Sequence, residues 1–183
     1  MTYELPHIPP DAPAPDLLEL GCGRHKNEGY FGVDRAALEG VDLVHDLDIY
    51  PWPIQHGCAA EVICHQTLEH IRDIIGFMRE LWRVCAADAY IEIVVPYYQG
   101  PAADGDPTHV RRFSETSFRY YEPDFIETFS DYGLAPCYFH IIDLAWKPAG
   151  NLWVLLRPIK TPGDLEAFRE EQIWRRRKTE MLG

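Results

Sequence analysis

From residue 16 onward, short apolar runs alternate with polar turns, and the period of each run predicts an element. The runs "LLEL" (17 to 20), "YFGV" (30 to 33), "VDLV" (41 to 44), "EVIC" (61 to 64) and "YIEIVV" (90 to 95) are strand-sized. The stretch "HIRDIIGFMRELWRVC" (70 to 85) differs: Ile71, Ile74, Ile75, Met78, Leu81, Trp82 and Cys85 recur at spacings of three and four, which predicts a helix with one face on a sheet. After Pro96 a loop runs to about Arg112, and "SETSFRYYEPDFIETFSDYG" predicts two short helices broken near Pro123 and closed by Gly133. "CYFHIID" (137 to 143) and "LWVLLR" (152 to 157) are joined too closely for a parallel return, so an antiparallel hairpin is expected. Pro6, Pro9, Pro10, Pro13 and Pro15 forbid a helix at the start and predict an extended arm over 1–15. Thr161, Pro162 and Asp164 open a tail helix over 161–183: a cap, a proline at the first helical position and an acid three residues after the cap. Residues 16–160 form the domain between them.

Composition narrows the class. A chain of 183 residues, 46% hydrophobic, can bury one sizeable core. Its apolar runs fall far short of a membrane span, and no secretion signal opens it, so a cytoplasmic location is expected. Five cysteines, Cys22, Cys58, Cys64, Cys85 and Cys137, are scattered without a C-x-x-C pair and read as reduced core residues. A net charge of −12 argues against a nucleic-acid partner and for a neutral or cationic one. The basic run Arg175 to Lys178 follows acids early in the same helix, which the helix dipole explains, with a phosphate-binding patch as the alternative reading.

Strands alternating with helical stretches predict an α/β fold whose ligands sit at the carboxyl ends of parallel strands. At the first such end stands Gly21-Cys22-Gly23, and at the second Asp34, an acid placed to accept ribose hydroxyls. The dinucleotide fingerprint fails, because Lys26 occupies its third glycine position.

In order, these segments resemble the Rossmann-like S-adenosylmethionine-dependent methyltransferases. "LLELGCG" looks like the first motif, "FGVDR" the second, "VHDLDIYPWP" the segment flanking adenine, "EVICHQTLEHI" the fourth strand and its exit, and "RELWRVC" with "YIEIVVPYY" the helix and fifth strand. The likeness is greatest to short bacterial and phage members with Leu20-Gly21-Cys22-Gly23, Leu68-Glu69-His70 and Asp106-Pro107-Thr108-His109 at these places, and it covers about residues 16 to 158. It implies a mainly parallel seven-stranded sheet with a C-terminal antiparallel hairpin, and S-adenosyl-L-methionine as cofactor. Two departures stand out. Ala86-Ala87-Asp88-Ala89 replaces the usual turn before the fifth strand, on the side away from the site. Between Leu20 and Tyr30 there is no room for a crossover helix, so the first helix is missing or vestigial and one sheet face loses its cover. The arm, the tail helix or a second copy in a homo-oligomer could shield it.

By this resemblance Glu19, Gly21, Cys22 and Gly23 would lie along the methionine portion with Lys26 near its carboxylate. Asp34 would take the ribose, Asp46 and Leu47 the adenine, and His65 would border the methionine amino group. Methyl transfer is an in-line displacement at an activated carbon, so positioning and exclusion of water carry most of it. Where the acceptor must lose a proton, the base candidates follow the fifth strand: Tyr97, Tyr98, Asp106 and His109, with His109 and Tyr97 foremost. His109 reads equally as a side chain that pins the loop. Arg111 and Arg112 could meet an acidic acceptor, and Tyr97, Tyr98, Phe113, Phe118, Tyr120 and Tyr121 could line its pocket. No metal is expected, because His65 and His70 are five apart, the wrong spacing for a helical pair. The expected activity is methyl transfer to a small molecule. The alternative is a cofactor-binding regulatory or assembly subunit without turnover.

Overall fold

The computed structural model describes residues 5–126 and 137–182. Seven strands, β1 (Leu17–Leu20), β2 (Phe31–Asp34), β3 (Leu43–Val44), β4 (Ala59–His65), β5 (Cys85–Pro96), β6 (Tyr138–Lys147) and β7 (Asn151–Ile159), form one sheet in the order β3-β2-β1-β4-β5-β7-β6. The first five pair parallel, and β7 runs antiparallel to both β5 and β6. The expected hairpin is therefore present, and the chain has a mostly parallel, Rossmann-like sheet.

Among the described residues the helices are α1 (Ile74–Val84), the short α2 (Ala102–Gly105), α3 (Glu115–Arg119) and α4 (Pro123–Ile126), and the tail helix α5 (Pro162–Leu182). The stretch predicted as one helix from residue 70 starts later. Leu68–His70 makes a 3-10 turn, and Asp73 then caps α1 by accepting from the Gly76 N–H at 2.9 Å. Thr161 and Asp164 form the expected reciprocal cap of α5, the Asp164 N–H donating to Thr161 Oγ1 at 3.1 Å and the Thr161 N–H to Asp164 Oδ2 at 2.9 Å. The predicted closure at Gly133 lies outside the described residues.

The two faces of the sheet are built differently. In-register neighbours point to the same side. One side collects Leu18, Val62, Ile91 and Leu156 in one row and Cys64, Ile93 and Val154 in the next, all fully buried. Phe77, Met78, Leu81 and Val84 of α1 belong to the same core. The other side collects Glu19, Gly32, Ile63, Glu92 and Leu155, flanked by His65, Tyr90, Trp153 and Arg157. None of these belongs to the core, and most are half-buried or exposed.

Two of the missing crossover helices have substitutes. Over β2 the cover is the Gly21–Tyr30 loop itself. A Cβ on Gly32 would stand 2.5 Å from Lys26 Cδ and 2.7 Å from Cys22 Sγ, so the absence of a side chain lets the loop lie directly on the strand. Lys26 ends in an ion pair with Asp42 at 2.5 Å, and Asp42 also accepts from the Gly32 N–H at 2.7 Å. The arm goes elsewhere: Pro13 and Pro9 carbonyls accept from Gln55, and Asp16 from Ala60, at the amino end of β4. The tail helix reaches the open face at its far strand, where Phe168 packs on His140 with ring centroids 5.1 Å apart.

Between β3 and β4, on the covered side, Trp52 and Ile54 are fully buried without a helix. Buried Arg83 of α1 satisfies their backbone, donating to the Trp52 carbonyl at 2.9 Å and the Ile54 carbonyl at 2.8 Å. Glu80 neutralises Arg83 at 2.8 Å and accepts from the Trp52 N–H at 2.7 Å. Irregular backbone can be buried only when its polar groups find such partners.

Candidate functional site

At the carboxyl ends of β1 to β4 lies a cavity of about 400 Å³ lined by Gly21, Gly23, Asp34, Arg35, Ala36, Asp46, Leu47, Asp48, Gln66, Thr67, His70 and Ile71. That size suits a nucleoside-sized ligand, since small-molecule pockets begin at about 300 Å³. Gly21 is required here twice over: its φ is +72°, and a Cβ would stand 2.1 Å from Thr67 Oγ1. Thr67 and Gln66 follow β4 directly, and Gln66 holds a positive φ of 49°, a conformation that bulky residues adopt only under constraint.

Asp34 is held by both carboxylate oxygens. Oδ2 accepts from the Gly23 N–H at 2.9 Å and Oδ1 from the Ala36 N–H at 2.8 Å. Each oxygen keeps a second lone pair, so the fixed carboxylate can still accept from a vicinal diol. Across the cavity, Asp48 accepts from the Arg72 and Asp73 N–H groups at 3.0 Å each and ties the Asp46–Asp48 turn to the start of α1. The Leu47 carbonyl accepts from Trp52 Nε1 at 3.2 Å, which fixes this wall from behind.

Of the nine residues expected at a cofactor, Gly21, Gly23, Asp34, Asp46 and Leu47 line the cavity, whereas Glu19, Cys22, Lys26 and His65 do not. The reasons are physical. Glu19 accepts from the backbone and side-chain N–H groups of Asn27 at 2.7 and 3.1 Å, fixing the loop from below. Cys22 and Lys26 cover Gly32 on the open face, and burial pushes the Cys22 thiol up to about 11. His65 emerges on the open face and pairs with Glu92 at 2.7 Å. The turn's own N–H groups are also engaged: Gly21 and Cys22 donate to the Val33 carbonyl at 2.8 and 3.2 Å. Without a helix behind it, the turn meets its hydrogen bonds internally.

The segment after β5 is docked over this end of the sheet. The Val110 N–H donates to the Glu69 carbonyl at 2.8 Å, and Arg111 donates to the Ile71 carbonyl at 3.0 Å and the Arg72 carbonyl at 2.6 Å. Arg112 pairs with Asp104 at 2.5 Å. His109 is pinned by a 3.2 Å hydrogen bond to the Ala103 carbonyl, and its ring stands edge-on to His70, which lines the cavity, with centroids 4.8 Å apart. The bond to a carbonyl fixes a proton on Nδ1, so in the neutral ring the lone pair is on Nε2. Tyr97 packs against Trp146 and Tyr98 outside this cavity, and its hydroxyl, pushed up to about 12 chiefly by desolvation, stays protonated near neutrality. A second cavity, of about 430 Å³, lies among Leu68, Met78, Arg111, Phe113, Phe118, Tyr120 and Tyr121. Four of the six aromatics expected around an acceptor thus share one pocket; Tyr97 and Tyr98 are not among its walls.

Sequence reasoning missed Gln66, Thr67, His70 and Ile71 in the first cavity, although the Leu68-Glu69-His70 motif lies among them. It also missed Glu69 as a site group. That carboxyl is 1% exposed, and neither oxygen has a hydrogen-bond partner among the described residues. Burial pushes it up to about 7.

No family model matches the chain, and no curated protein sequence does. Solved structures are similar in fold. One is a complex of the Haloferax volcanii Trm112 methyltransferase activator with a protein assigned as a methyltransferase (TM-score 0.56, 14% identity, 82% of this chain and 85% of that one). Another is the Burkholderia thailandensis 1,6-didemethyltoxoflavin-N1-methyltransferase, solved with bound 1,6-didemethyltoxoflavin and S-adenosylhomocysteine (TM-score 0.56, 14% identity, 81% and 72%). A third is an S-adenosylmethionine-dependent methyltransferase from Aquifex aeolicus (TM-score 0.50, 13% identity, 79% and 82%). At such identities the likeness is one of fold, and the chain has the Rossmann-like fold found in methyltransferases dependent on S-adenosylmethionine.

Proposed function

We propose that this chain is an S-adenosylmethionine-dependent methyltransferase acting on a small-molecule acceptor. The observation that carries this reading is the Asp34 carboxylate, anchored through both oxygens at the end of β2 and facing a cavity at the carboxyl edge of β1 to β4. Gly21 and Gly23 would border the methionine portion, Asp34 would accept the ribose hydroxyls, and Asp46 with Leu47 would flank adenine. Gln66, Thr67 and His70 would complete the wall near the sulfonium. Bound cofactor supplies an activated methyl group, so the protein's part is to position the acceptor and exclude water. Where the acceptor must lose a proton, Nε2 of His109, beside His70 on the cavity wall, would take it. The aromatic cavity beside Leu68 and Arg111 is the proposed acceptor pocket. The chain's acidity fits a neutral or cationic acceptor better than nucleic acid.

Calorimetry with S-adenosylhomocysteine tests the cofactor assignment: micromolar binding is expected, and Asp34→Ala should weaken it by about 1.5 to 3 kcal/mol. Equal affinity for NAD, or indifference to the substitution, would overturn it. A non-catalytic cofactor-binding subunit is the second reading, because the turn's N–H groups and Lys26 are engaged internally. Binding without turnover across a panel of small acceptors would favour that role.

A further inference from the structure

Glu69, His70 and His109 each bring a ligand atom to within 4.8 Å of the others, from a 3-10 turn and a loop that the sequence separates by some forty residues. Three features distinguish this cluster from a chance grouping. Both oxygens of Glu69 are buried without a hydrogen-bond partner, an arrangement that burial makes costly. Both histidines are held in one tautomer. His109 Nδ1 donates to the Ala103 carbonyl at 3.2 Å, and His70 Nδ1 faces Thr108 Oγ1 at 3.0 Å and the Thr108 carbonyl at 3.4 Å. In the neutral rings each Nε2 thereby holds the lone pair. Thr108 in turn donates to Asp106 at 2.7 Å, and Asp106 Oδ2 lies 4.0 Å from His109 Nε2. Oriented imidazoles with their second nitrogen bonded to carbonyls or hydroxyls are the outer shell typical of metal-ligating histidines.

We propose that Glu69, His70 and His109 bind a divalent transition-metal ion, zinc foremost, with Asp106 or an exogenous oxygen completing the coordination. Two imidazoles and a carboxylate suit zinc, and three protein ligands leave a position open. The spacing argument against a metal concerned His65 and His70. Here His65 is on the other face of the sheet, and His109 replaces it through the fold. Ion binding would take Glu69 as the carboxylate and supply the partner that its buried oxygens lack. It would also occupy the His109 lone pair, so a metal-bound His109 cannot serve as a base; coordination would then acidify an acceptor hydroxyl directly. That last role rests on the methyltransferase reading, whereas the site itself does not.

The test uses the full untagged chain, stripped with a chelator and titrated with zinc by calorimetry, with no cofactor present. One equivalent per chain in the micromolar range or tighter is expected, and cobalt at the same site should give visible ligand-field absorption. Glu69→Gln and His109→Ala should each weaken zinc about tenfold or more. Circular dichroism and S-adenosylhomocysteine binding report separately on whether each variant keeps its fold and its cofactor site. No saturable uptake by the wild-type chain, or one equivalent bound unchanged by both variants, would overturn the site whatever the fate of the methyltransferase reading.

Discussion

The covered and open faces of the sheet solve one problem in two ways. Parallel sheets are normally buried on both sides, because crossover helices come with the topology. Here α1 and the Trp52–Ile54 segment cover one side, and the strand positions facing them are uniformly apolar. On the other side the crossover over β2 has shrunk to a loop, and the remaining positions have the character of the open face of an antiparallel sheet. Acids and bases pair across strands, as His65 does with Glu92. Cations lie on aromatic rings, Arg157 on Tyr90 at 5.8 Å and Lys147 on Trp153 at 4.7 Å. A helix layer is thus dispensable where the exposed side chains can tolerate water.

The largest test of this contrast falls on the covered side. Arg83→Met leaves Glu80 charged and buried and orphans the Trp52 and Ile54 carbonyls. Urea denaturation should show a loss of about 3 to 5 kcal/mol, only partly recovered by adding Glu80→Leu. On the open side the sensitive point is Gly32. Valine suits strands, yet at this position it must displace Lys26 and Cys22, so Gly32→Val should cost about 1 to 3 kcal/mol and weaken S-adenosylhomocysteine through the adjoining turn.

Glu69 probes the boundary between buried stability and buried function. Chiefly because it is buried, its carboxyl titrates near 7 in the folded chain and near 4.5 when unfolded. Between these values the unfolded chain has lost the proton and the folded chain keeps it, so metal-free stability falls as pH rises from about 4.5 to 7 and then levels off. Glu69→Gln should remove that slope and gain about 1 to 2 kcal/mol at pH 8 in thermal or urea unfolding of chelated protein. The smallest effect belongs to the open face: Glu92→Gln breaks an exposed pair and should change stability by less than about 0.5 kcal/mol. A larger loss there would show that the face is buried against something in solution.

The strands and the terminal hairpin were legible because apolar alternation is local. Gly21, Gly23, Asp34, Asp46 and Leu47 were legible as well, since they stand at strand ends, where chain order dictates position. What was hidden depends on distant partners. Lys26 follows the Gly-Cys-Gly turn and so stands beside the site in sequence terms, but Asp42 takes it. The Glu80–Arg83 pair has the spacing of an ordinary surface helix pair, and only the buried carbonyls of Trp52 and Ile54 show why it is inside. His109 met Glu69 and His70 only once the segment after β5 folded back.

The shortened first crossover also bears on how the chain assembles. Leu18 pairs with Phe31, whereas Ile91 pairs with Leu156 across a loop roughly five times as long. By the logarithmic dependence of closure entropy on length, the longer loop costs about 1.4 kcal/mol more to close. The strands that present the Gly-Cys-Gly turn and Asp34 are thus entropically the easier to bring together, and the nascent chain carries both members of that pairing long before β7 is synthesised.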